Sequence, residues 1–78
     1  MSSKEKVIQY HISRLKDKNP EVLLKTIQEL AQFGKDAADA LPLLESLFWN
    51  SEDVSVKKAA QYAGRVILQQ IGGNQEAS

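Results

Sequence analysis

The chain has 78 residues, ten basic and ten acidic side chains, 42% hydrophobic residues and no cysteine. That length allows one small domain, in which about 60% of the unfolded surface would be buried. It excludes a disulfide staple and a thiolate metal site, and a formal charge of zero gives no global attraction for nucleic acid or an acidic membrane.

The opening run Met1 to Lys6 is polar and is not followed by the apolar stretch of a secretory signal, and no window approaches roughly eighteen apolar residues. The expectation is a soluble, cytoplasmic protein without a membrane span. From Lys4 to Lys16, Val7, Ile8, Ile12 and Leu15 recur at helical spacing, with His11 inside their stripe. Asn19 can then accept a bond from a free N–H at the next helix start, and Pro20 sits where its missing donor is harmless. Glu21 adds a negative charge to that first turn. A second helix is predicted from Pro20 to about Phe33, its apolar arc made by Val22, Leu23, Thr26, Ile27, Leu30 and Phe33. Gly34 should end it as a left-handed cap.

Asp36 can cap a third helix whose apolar set is Ala37, Ala40, Leu41, Leu44, Leu47 and Phe48. Pro42 inside that stretch would remove one helical bond and crowd the preceding turn. Either the segment before it is a separate short turn and the main helix begins near Leu41, or the helix is kinked. Asn50-Ser51-Glu52-Asp53 ends this helix and offers caps for a fourth, from Val54 to Ile71, with Val56, Ala60, Ala63, Ile67 and Ile71 inward and Gly72 as its stop. Nothing alternates with strand periodicity. The fold is predicted to be all-α, one domain over residues 4–71 in units of about 4–34 and 35–71, with 72–78 a disordered tail.

The two units resemble one another. Asp53 stands 34 residues after Asn19, and at that offset Val22 matches Val56, Thr26 matches Ala60 and Phe33 matches Ile67; the preceding helices align at 32, Leu15 on Leu47. The run Gly34-Lys35-Asp36-Ala37-Ala38-Asp39-Ala40-Leu41-Pro42-Leu43-Leu44, followed by Asp53-Val54-Ser55-Val56-Lys57-Lys58-Ala59-Ala60, resembles the short HEAT repeats of phycobilin-lyase-like proteins. The resemblance spans about residues 6–71. It implies an α-solenoid fragment of two stacked antiparallel hairpins, and it raises a role as an accessory factor acting on tetrapyrrole-bearing proteins. It brings no matched catalytic residue. Two positions depart from the pattern: Leu23 replaces a usual basic residue, and Gly64 a usual leucine.

The chemistry-bearing residues are few. His11 is the only histidine, so no histidine cluster can hold a metal, and no nucleophile triad or phosphate loop is present. Packing or an interface accounts for His11 in its stripe. Asp36, Asp39, Glu45, Glu52 and Asp53 lie near helix starts and ends, where capping explains most of them. The sequence therefore points to a noncatalytic protein-interaction or adaptor module, with no cofactor and no metal. Candidate contacts are Trp49 beside Phe48, the face of Lys58, Tyr62 and Arg65, and the apolar edge widened by Leu23 and Leu24. With both repeat ends uncapped, that edge predicts another protein as partner or self-association, as a symmetric dimer or end to end. Nucleic acid is disfavoured, because the basic groups of the last helix do not outweigh the acids between Asp36 and Asp53.

Overall fold

Three polar side chains set three of the helix starts. Ser2 Oγ accepts from the Glu5 N–H at 3.2 Å, Asn19 Oδ1 from the Glu21 N–H at 2.9 Å, and Asp53 Oδ1 from the Val56 N–H at 3.1 Å. Each satisfies a backbone donor that a helix leaves free at its N-terminus. The structure, a computed structural model, describes residues 2–76, with side-chain surroundings through Gly72. Its helices are α1 (Ser3–Arg14), α2 (Pro20–Phe33), α3 (Leu41–Asn50) and α4 (Val54–Glu76), with a 3-10 segment at Gly34–Ala40. Among the described residues there is no strand, and no helix is long and apolar enough to cross a membrane.

The 3-10 segment resolves the problem of Pro42. Proline occupies the first turn of α3, where it breaks no helical bond, and the residues before it form a separate turn interrupted at Ala37 (φ −97°, ψ 22°). The main helix thus begins at Leu41, the first of the two sequence alternatives. Asp36 makes no capping bond there; its carboxylate instead takes Lys4 Nζ at 2.9 Å, tying the segment to α1. Gly34 does end α2 with positive φ, at +59°, but its ψ of −132° lies outside the left-handed helical region. A Cβ at Gly34 would stand 3.1 Å from Gln70 Cγ, so the glycine also admits α4.

Gly72 does not stop α4, which continues to Glu76. Glycine weakens a helix but keeps its N–H, so it ends one only where the chain turns away. The remainder of the expected tail, Ala77 and Ser78, lies outside the described residues.

α1 packs on α2, α3 packs on α4, and α2 packs on α4, while the 3-10 segment touches all four helices. The core joins Ile8 and Leu15 of α1, Leu23, Ile27 and Leu30 of α2, Ala37 and Ala40 of the 3-10 segment, Leu44 of α3, and Val56, Ala60, Ala63 and Ile67 of α4. Thr26 is the one buried polar residue among those described, and no buried side-chain polar atom there lacks a partner. Ile71 and Val7 were expected inward and are exposed. Val7 adjoins Ile8, which is buried, and Ile71 follows the buried Ile67 by one turn, so in each helix the neighbouring apolar residue takes the inward place. Two of the four buried residues of α4, Ala60 and Ala63, are small, and Ile27 of α2 lies in the groove that Ala63 shares.

Candidate protein-binding surfaces

Helical geometry places Lys58, Tyr62 and Arg65 on one narrow strip of α4, and the structure exposes all three; Tyr62 is 66% accessible. The strip is a ridge between two grooves. On one side, between α2 and α4, a groove of about 540 Å³ runs past Ile27, Ala31, Lys58, Ala59, Tyr62 and Val66. On the other, between α3 and α4, a groove of about 580 Å³ is lined by Leu41, Leu44, Phe48, Ala60, Gly64 and Leu68, with Glu45 and Arg65 as its charged groups. The sequence-predicted trio is brought together, with Lys58 and Tyr62 on the α2 side and Arg65 on the α3 side.

Trp49 is 69% exposed at the end of α3. One edge meets the half-buried Phe48 ring in a T-shaped contact, centroids 5.0 Å apart, and Lys57 Nζ lies 5.9 Å from the centre of that same Phe48 ring. Phe48 inside and Trp49 outside is the arrangement expected from adjacent helical positions. The turn after Trp49 is held by other groups: Ser51 Oγ accepts the Asp53 N–H at 3.1 Å, and Asp53 in turn caps α4.

The apolar edge is not where the sequence put it. Leu23 is 6% exposed and belongs to the core, because α2 turns that side toward the end of α3 and the start of α4, near Leu47 and Val56; it is removed from the candidate contacts. Leu24 is half-buried against the same core. Exposed apolar side chains lie elsewhere, among them Leu68 beside the α3–α4 groove, with Val7, Val54 and Ile71 at other places. A signal for it existed: Ile67 and Leu68 are adjacent, so if one is core the other must face outward or sideways.

His11 is half-buried between aromatic rings, 5.6 Å from Tyr10 and 6.2 Å from Phe33 centroid to centroid. It lines a third groove of about 510 Å³ between α1 and α2 with Tyr10, Arg14, Val22, Lys25 and Glu29. Arg14 Nη1 donates to the Tyr10 hydroxyl at 3.2 Å and its guanidinium lies 5.7 Å from that ring's centre. Of the acids, Asp53 caps a helix and Asp36 pairs with Lys4, while Asp39, Glu45 and Glu52 are solvent-exposed. Among the described residues no group of three or more His, Asp or Glu side chains could hold a metal ion. Comparison with known protein families, with characterised proteins and with solved structures finds no match.

Proposed function

We infer that the chain is a noncatalytic protein-interaction module built as two stacked helical hairpins in the manner of HEAT repeats. The internal repeat supports this reading in side-chain detail: Asn19 and Asp53, 34 residues apart, both cap the helix that follows, and the two helices begin at Pro20 and Val54, again 34 apart. Thr26 and Ala60, matched at the same offset, are both buried. The pairs α1–α2 and α3–α4, joined through α2 and α4, are the contacts that stacked hairpins would make. Binding by surface is favoured by one observation above others, the outward display of Trp49 and Tyr62 on rigid helices. Large aromatic side chains with two rotatable bonds make strong anchors at low entropic cost.

The test is capture by immobilised chain, comparing wild type with Trp49→Ala and Tyr62→Ala. Both residues are mainly solvent-exposed, so melting temperatures should stay within a few degrees of wild type while retention of the specific partner falls at least about tenfold for one of them, the size of effect expected of an aromatic anchor. Equal retention by all three proteins would refute the assignment of this surface.

A further inference from the structure

We propose that the chain stacks head to tail on copies of itself, the α1–α2 groove of one copy seating on the α3–α4 groove of the next; the inference rests on the two-unit reading above. The two grooves lie on opposite open sides. On α2, the groove shared with α4 contains Ile27, Gln28, Ala31 and Gln32, whereas Val22, Lys25 and Glu29 line the α1 groove about 140° around the helix. On α4, Lys58, Ala59, Tyr62 and Val66 face α2, whereas Gln61, Gly64 and Leu68 line the α3 groove about 150° away. Each helix therefore has one side spent on the internal contact and one side left open.

Charge and shape choose a second copy as occupant. The open α3–α4 groove carries Glu45 on α3 and Arg65 on α4; the open α1–α2 groove carries Arg14 on α1 and Glu29 on α2, with Lys25 beside it. A copy added in the registers of the internal repeat, 32 for α1 on α3 and 34 for α2 on α4, would bring Arg14 to the height of Ser46, next to Glu45. It would bring Glu29 to the height of Ala63, within about 3 Å of rise from Arg65. Both opposite-charge pairs form, α1 to α3 and α2 to α4; Lys25 arrives at the height of Ala59, within about 3 Å of rise from Lys57 and Lys58, and opposes them. Shape agrees: nothing stands within 4 Å of a Cβ at Gly64, so the floor of the groove is empty, while Tyr10 on the opposing side is exposed. Such a contact joins unlike faces, so it continues from copy to copy instead of closing at a dimer.

The test is sedimentation equilibrium of the 78-residue chain with one-sided variants. Gly64→Arg puts a long charged side chain into the α3–α4 groove from a position whose Cβ has no atom within 4 Å, and Leu68→Glu is a second block of the same face. Arg14→Glu combined with Glu29→Arg sets a like charge against Glu45 and against Arg65 on the opposite face. Wild type should exceed 8.7 kDa between about 10 µM and 1 mM, the range of small interfaces, with no plateau at two copies. Each blocked variant should remain monomeric with unchanged helical circular dichroism. An equimolar mixture of the two kinds of variant should form a 1:1 complex, because one intact face of each remains. A wild-type monomer throughout, a plateau at the dimer, or a mixture that stays monomeric would overturn the proposal. Any of these with partner capture through Trp49 or Tyr62 intact would leave the adaptor reading standing.

Discussion

Gly64 is the residue whose substitution most directly tests the geometry of α4. It lies inside a helix that runs from Val54 to Glu76, and a Cβ built on it meets nothing within 4 Å. Glycine in a helix interior costs about 1 kcal/mol relative to alanine, and with open space at the new methyl no packing strain offsets the gain. Gly64→Ala should stabilise the fold by about 0.5–1 kcal/mol. For a domain of this size, that corresponds to a rise of roughly 2–8 °C in melting temperature. Gly34→Ala is the internal control. There φ is +59° and the new carbon would stand 3.1 Å from Gln70 Cγ, so the same chemical change should lower stability by 1 kcal/mol or more, on the order of the usual penalty for a strained backbone. Thermal and urea unfolding followed by circular dichroism, run below the concentration of any self-association, measure both. A loss of stability in Gly64→Ala would show that the α3–α4 groove is closed in solution, and the grooves described here would need redrawing.

Further substitutions separate core, cap and surface. Leu23→Ala should cost about 2–5 kcal/mol and Leu24→Ala clearly less, since only the first is fully enclosed; equal costs in denaturant titrations would return Leu23 to the surface. Asp53→Ala should cost about 0.5–2 kcal/mol by freeing the Val56 N–H, and Asp53→Asn should recover most of it, as read from the same titrations. For the exposed Lys4–Asp36 pair, a double-mutant cycle should give a coupling below about 1 kcal/mol that shrinks in high salt.

What the sequence disclosed depended on whether the signal was local. Asn19-Pro20-Glu21 and Asp53 carry their caps within three residues, and both helix starts were readable from them. Pro42 limited the third helix to two alternatives, and the choice between them rested on small residues, Ala37 and Ala40, filling a crowded centre that no local pattern describes. Leu23 was misplaced for the same reason. Val22, Leu23 and Leu24 are all apolar, so the inward direction of α2 is set by where α4 lies and not by α2's own pattern. The ridge of Lys58, Tyr62 and Arg65 follows from spacing alone. The groove beside it needs α3 to form its second wall, and a glycine in one helix gives no notice of that.

The 3-10 segment bears on how the helix pairs α1–α2 and α3–α4 hold together. Repeat arrays are stabilised by neighbour contacts, and units joined through one interface can unfold separately. Here Gly34, Ala37 and Ala40 are buried and their segment packs on α1, α2, α3 and α4, so neither helical pair can open without uncovering it. Small side chains are what permit four helices to approach one strand of backbone. Ala37 is fully enclosed, and Ala37→Leu should overpack this centre at a cost of about 1–3 kcal/mol. Because the damage falls where both pairs meet, it should shift a single cooperative transition, with Trp49 fluorescence in the second pair and hydrogen exchange of α1 amides in the first reporting the same loss of stability. Trp49 responding while α1 amides kept their protection would show that the pairs unfold independently and that the 3-10 segment does not bind them into one unit.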